Sequence, residues 1–86
     1  MIKTYKVMDK IGLHARPASL LVDAASKYPN EISIIYKQKK ITLKSILAVM
    51  SLGVPYGEDI SIEVEGDNPE EIFITLEKVL VENQVV

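Results

Sequence analysis

Gly12-Leu13-His14-Ala15-Arg16-Pro17-Ala18 sets the chain's one imidazole two positions from a guanidinium, at the opening of an apolar run with helical spacing. A helix N-terminus carries unspent backbone N–H groups and a partial positive charge, which makes it a natural anion site. Here those donors would come from Ala15 and Arg16. Pro17 biases the residue before it away from helical angles and suits a first turn, so Arg16 is a candidate cap with Pro17 first in the helix. Arg16 can grip phosphate oxygens through two parallel N–H bonds, and a neutral imidazole is a competent nucleophile near physiological pH. The group therefore suits phosphohistidine chemistry. A histidine beside an arginine in a loop is more often an ordinary surface pair, and residue types alone leave both readings open.

A second segment, Lys44-Ser45-Ile46-Leu47-Ala48-Val49-Met50-Ser51-Leu52-Gly53, opens on a serine suited to cap a short helix through Leu52, a contribution of about 1 kcal/mol against alanine. Val49 and Leu52 are expected to face the core, whereas Ile46, Leu47 and Met50 cannot all turn inward. An apolar patch left outside can dock partners, and methionine adapts to several of them. Singly exposed apolar residues are also common on any surface.

The elements that must position these residues follow from periodicity and punctuation. Thr4, Tyr5 and Val7 with alternating lysines indicate a strand over residues 2 to 8, broken by Gly12. Ala18, Leu21, Val22 and Ala25 form the buried stripe of a helix over Pro17 to Tyr28, stopped by Pro29 and Asn30. Ile32, Ile34 and Tyr36 alternate as a strand, and Ile41 and Leu43 mark a second that completes a hairpin. Ile60, Ile62 and Val64 alternate with Ser61, Glu63 and Glu65, giving one buried and one wet face. Asn68 as cap, Pro69 in the first turn and Glu71 at the third position open a final helix on Ile72, Leu76, Val79 and Leu80. Strand, helix, strand, strand, helix, strand, helix packs most simply as two layers, an α+β open sandwich with the helices on one side of an antiparallel sheet. Ferredoxin-like binding modules share much of that order, so function has to be argued from the sites.

Composition bounds the function. A chain of 86 residues, 48% hydrophobic and 26% charged, is expected to form one domain over residues 1–86 with an ordinary soluble core. It has no cysteine, which rules out disulfides and thiolate zinc sites and permits a reducing compartment. No stretch approaches the ~20 apolar residues of a membrane span, and the opening MIKTYKV has no long apolar run, so the expected location is cytoplasmic. A net charge of −2 lacks the basic footprint of most nucleic-acid binders, which favours protein partners. Asp59, Glu63 and Glu65 fall on or beside a strand's wet face and form no paired-carboxylate or metal constellation. A stand-alone enzyme, a bound metal and a cofactor are accordingly not expected.

The segment from Gly12 to Ala18 resembles the active-site motif of the HPr family, the histidine-containing phosphocarriers of the phosphoenolpyruvate-dependent sugar phosphotransferase system, and the similarity extends over essentially the whole chain. The resemblance implies a four-stranded antiparallel sheet covered on one face by three helices, in the order βαββαβα. It implies that Enzyme I phosphorylates His14 on Nδ1, that Ala15 and Arg16 bind the phosphoryl group, and that Enzyme IIA proteins receive it. The segment around Ser45 is similar to the regulatory-serine region of HPr from low-GC Gram-positive bacteria. There an HPr kinase/phosphorylase modifies the serine and catabolite control protein A binds the product, so a mainly regulatory docking module acting through phospho-Ser45 is the alternative reading. The resemblance also implies that Arg16, Ser19 and Leu20 of the first helix, with Ile46, Leu47 and Met50 of the short one, meet partners. Three departures stand out: Ile11 where many relatives are polar, a hairpin turn near Gln38 and Lys39 without Asn-Gly, and Ala48 in place of a frequent glycine.

Overall fold

The computed structural model describes residues 1–86. Its elements are β1 (Ile2–Lys6), α1 (Ala15–Ala25), β2 (Ile32–Tyr36), β3 (Lys39–Thr42), α2 (Ile46–Met50), β4 (Asp59–Val64) and α3 (Pro69–Glu82). The order is βαββαβα, and the strands form one antiparallel sheet in the spatial order β1-β4-β2-β3. The last strand is thus inserted between the first two. The central strands β4 and β2 carry Ile60, Ile62, Val64, Ile32 and Ile34, all fully buried, while the edge strands carry Lys3, Lys6, Lys39 and Lys40. Lysines on an edge discourage pairing with another sheet.

The inward side chains of β2 and β4 meet Ala18, Leu21, Val22 and Ala25 of α1, Val49 of α2 and Ile72, Phe73, Leu76 and Leu80 of α3 in one continuous apolar cluster. The opposite sheet face is polar: Thr4 and Ser61 hydroxyls lie 2.8 Å apart, and Lys40 pairs with Glu63 at 2.6 Å. The expected stripes of α1 and α3 are therefore the buried ones, with Phe73 added and Val79 only partly buried.

Several boundaries differ from the sequence-based expectation. β1 ends at Lys6 rather than residue 8, because Val7 and Met8 leave the ladder to bond Glu58 and Val85: the Val7 N–H donates to the Glu58 carbonyl, and the Met8 N–H to that of Val85. α1 starts at Ala15 and ends at Ala25, with Ser26 to Tyr28 tightening into turns. Arg16 is consequently not the cap. His14 is, with extended backbone, and Pro17 sits third in the helix, where its missing N–H would have found no partner in any case. Asn68 precedes α3 in a left-handed conformation (φ 57°, ψ 45°) and its side chain makes no cap bond. A capping side chain needs extended backbone at that position, whereas asparagine tolerates the left-handed region. The turn before it is held instead by the Asn30 amide, which donates to the carbonyls of Glu65 and Asp67 at 2.8 Å each.

The β2–β3 hairpin answers the missing Asn-Gly. Tyr36 pairs with Lys39, leaving Lys37 and Gln38 as a two-residue loop with φ of 47° and 71°. Positive φ at both central residues is the requirement of a type I′ turn. Lys37 is partly compensated by its ammonium over the Tyr36 ring, 5.4 Å from the centroid, and by an ion pair with Glu58 at 3.5 Å. Gln38 makes no side-chain bond. Gln38→Gly should therefore raise stability by about 1 kcal/mol, the left-handed strain less the extra chain entropy of glycine. In thermal unfolding followed by circular dichroism this corresponds to a melting temperature higher by about 4–8 °C.

Gly12 holds the loop ahead of α1 against the chain after α2. Its φ is +83°, and a Cβ there would overlap the Val54 carbonyl oxygen and stand 3.0 Å from the Pro55 Cα. The neighbouring Leu13 N–H donates to the same carbonyl at 2.9 Å. Gly12→Ala combines left-handed strain with a backbone clash and should cost about 2–3 kcal/mol, measured as a lower urea midpoint with an unchanged m-value.

Candidate functional site

The loop from Met8 to Leu13 presents His14 through backbone bonds. Asp9 organises it: the Ile11 N–H donates to Asp9 Oδ1 at 2.9 Å, and the Gly12 N–H to the Asp9 carbonyl at 2.8 Å. Leu13 is buried and anchors the far end, and the His14 N–H donates to the Gly12 carbonyl at 3.0 Å. Ile11, the unexpected apolar residue, contributes its amide while its side chain stands 75% exposed.

The His14 ring is half-buried, its Nε2 lies 3.2 Å from Asp9 Oδ2, and its Nδ1 has no protein partner. As N-cap, His14 gives its carbonyl to the Ala18 N–H at 3.1 Å but uses no side-chain atom to cap the helix. Ala15 and Arg16 thus keep free N–H groups, and Pro17 contributes none. An uncapped helix start next to a ring nitrogen carrying no bond is an anion-accepting arrangement.

Arg16 reaches across to the C-terminal end of α3, where its Nη2 donates to Asn83 Oδ1 at 3.3 Å. Asn83 closes α3, its own amide donating to the Val79 carbonyl at 2.8 Å. The guanidinium therefore sits at the negative end of the α3 dipole, and it makes no ion pair that would hold it away from an anion. Backbone donation from Ile11 holds the Asp9 carboxyl below its usual titration range, helped by the bond to His14 and the charge of Arg16. Asp9 is then a carboxylate, an acceptor only.

Sequence reasoning missed Asp9 and Asn83. Asp9 did carry a signal, because aspartate three residues before glycine is turn composition and its side chain readily accepts an amide two residues on. Asn83 carried none, since its closeness to Arg16 comes from the antiparallel packing of α1 and α3.

Ser45 caps α2 as expected, its Oγ accepting from the Ala48 N–H at 3.2 Å. Ser19, Leu20 and Ile46 line one shallow groove between α1 and α2, so the two segments meet. Beside it Leu47 stands 83% exposed and Met50 partly so, whereas Val49 and Leu52 are buried. Ser19 also donates its hydroxyl to the Arg16 carbonyl at 2.9 Å. The larger cleft of the protein, about 630 Å³, contains none of these residues. It is bordered by Glu31, Glu65, Asp67 and Glu71, which suit it poorly to a phosphate. No cluster of side chains has metal-ligating geometry, and no helix is long and apolar enough to cross a membrane.

Comparison with known proteins identifies the family and the fold. The family model of the PTS HPr component phosphorylation site matches residues 1–82. A histidine-containing phosphocarrier protein from Mycoplasma superposes with a TM-score of 0.96 at 32% identity, covering 100% of this chain and 98% of its own. An HPr from Thermoanaerobacter tengcongensis gives 0.87 at 40% identity over 99% and 94% of the two chains. The phosphocarrier protein HPr of Bacillus anthracis gives 0.81 at 37% identity over 92% and 94%. A match over nearly the full length, in a fold whose one histidine caps a helix with unspent donors, makes this chain a member of the HPr family, the phosphocarriers of the phosphotransferase system, which carry the phosphoryl group rather than act as enzymes themselves.

Proposed function

We propose that this chain is a cytoplasmic carrier that accepts a phosphoryl group from Enzyme I on Nδ1 of His14 and gives it to Enzyme IIA proteins of sugar permeases. The observation that carries the reading is the pairing of an unbonded Nδ1 with the free N–H groups of Ala15 and Arg16 at the start of α1. A phosphoryl group on Nδ1 brings negative charge to those donors and to the Arg16 guanidinium, which can grip two oxygens at once. Partners would dock on the groove between α1 and α2, using Ser19 and Leu20 with Ile46, Leu47 and Met50, because that apolar surface adjoins the helix that carries His14.

The reading is tested by phosphorus NMR after incubation with phosphoenolpyruvate, magnesium and Enzyme I. The intact chain should give a phosphoramidate signal and His14→Ala none. If the intact chain stays silent while the same Enzyme I phosphorylates another carrier, the regulatory docking module acting through phospho-Ser45 is the better account.

Regulation at Ser45 belongs to the same proposal: an HPr kinase/phosphorylase adds the phosphate, and catabolite control protein A binds the modified form. Ser45 Oγ already accepts a helix N–H, so a phosphate there adds charge where the dipole tolerates it and α2 persists. The effect on transfer is then electrostatic, since Ser45 borders the groove through Ile46. Ser45→Asp should slow phosphoryl transfer from Enzyme I about 5- to 10-fold at low ionic strength, the order expected of a charge acting across roughly 10 Å near a surface. The effect should shrink in 1 M salt, and equal rates for both proteins at low salt remove the regulatory part of the proposal.

A further inference from the structure

We propose that Asp9 is a positioning residue for this transfer: its carboxylate keeps the proton on Nε2 of His14, leaves the lone pair at Nδ1, and offsets the positive charge the ring gains on bonding phosphorus. The inference rests on the carrier reading for its chemistry and on the loop for its geometry. Asp9 Oδ2 lies 3.2 Å from Nε2 while Oδ1 accepts the Ile11 N–H at 2.9 Å, so one carboxylate ties the ring to the backbone turn that precedes it. A carboxylate only accepts, and a neutral imidazole has one donor and one acceptor nitrogen. The bond to Asp9 therefore makes Nε2 the donor and Nδ1 the acceptor.

The side chains are 20% and 31% exposed for Asp9 and His14, so the bond is partly withdrawn from solvent, and the Ile11 amide fixes the direction from which the carboxylate meets the ring. In the transfer step the Nδ1 lone pair forms the N–P bond. The bond from phosphorus to the donor protein's leaving atom breaks, and that electron pair stays with the donor. Nε2 keeps its proton throughout, and the positive charge spreading over the ring faces a fixed anion. Passing the group onward reverses these events, and the ring departs as the same neutral tautomer. The arrangement resembles in logic a buried aspartate that orients a catalytic imidazole and stabilises its charged form. Here the imidazole is the nucleophile rather than the base.

Asp9→Asn separates this role from loop architecture, because its carbonyl oxygen can still accept from the Ile11 N–H while the charge facing Nε2 is lost. The initial rate of phosphorylation by Enzyme I should fall about tenfold or more, because the amide NH2 then facing Nε2 is a donor and favours the tautomer with its proton on Nδ1, with backbone amide shifts of the rest of the protein unchanged. The ring is read separately by ¹⁵N NMR of unphosphorylated protein with neutral His14. The intact chain should show a protonated Nε2 and an unprotonated Nδ1, and Asp9→Ala should move both signals toward the averaged values of exchanging tautomers. A wild-type rate in Asp9→Asn, or the same nitrogen pattern in Asp9→Ala as in the intact chain, overturns the proposal. An intact chain that accepts no phosphoryl group overturns the carrier reading, and the transfer role of Asp9 with it. The nitrogen pattern, recorded without Enzyme I, still tells that failure apart from a wrong assignment of the Asp9 contact.

Discussion

The first turn of α1 is left unsatisfied, and much of the surrounding structure exists to keep it so. Most helices close their N-terminal N–H groups with a serine, threonine or aspartate side chain, worth about 1 kcal/mol. Here the cap residue is His14, whose ring turns to Asp9 and not to the helix, and the third helical residue, Pro17, has no N–H at all. What remains is a pair of donors, on Ala15 and Arg16, facing solvent beside the ring. An uncapped start of this kind must be held by packing elsewhere. Pro17, Ala18, Leu21, Val22, Ala24 and Ala25 are buried, so α1 is secured by its apolar face while its tip stays open.

The same constraint explains the loop on the other side of His14. The backbone donors nearest the ring are committed: to Asp9 through Ile11 and Gly12, to Val54 through Leu13, and to Gly12 through His14. Gly12 allows the backbone to lie against Val54 and Pro55, closer than any Cβ would permit. The ring thus stands between a rigid, hydrogen-bonded loop and an open helix end. Donors held in place before a charge arrives need no reorganisation when it does, which is what gives such sites their strength.

How much of this was legible in the sequence depended on whether the information was local. Alternation of Ile60, Ile62 and Val64, and the stripe from Ala18 to Ala25, reflect single-element periodicity and correspond to the observed strand and helix. His14 and Arg16 were visible because their residue types sit next to a helix start in the chain itself. Propensity failed where tertiary bonds decided. Pro17 marked the first turn correctly, but the bond from the Ala18 N–H to the His14 carbonyl carries the helix back through Arg16 to Ala15 against the preference of a residue before proline. Asn68 looked like a side-chain cap, yet the chain turns into α3 through a left-handed residue pinned by Asn30 from another part of the fold. Lys37 and Gln38 gave no hairpin signal, because the type I′ geometry is imposed by the register of β2 and β3 rather than invited by glycine.

Arg16 shows why long-range placement matters to the proposed chemistry. Its bond to Asn83 is a single contact of 3.3 Å at the surface, and it holds the guanidinium at the end of α3, whose dipole favours a cation there. A phosphoryl group on His14 would offer the same guanidinium a charged acceptor able to take two bonds, a stronger partner than a neutral amide. Arg16 follows the ring by two residues, and Asn83 already holds its guanidinium at the end of α3. The amide is also too weak a partner to compete with the phosphate. A carboxylate in place of Asn83 would bind Arg16 more tightly and set a negative charge close to the proposed phosphoryl site. The neutral cap of α3 thus complements the missing cap of α1, one end keeping a cation available and the other keeping two donors free.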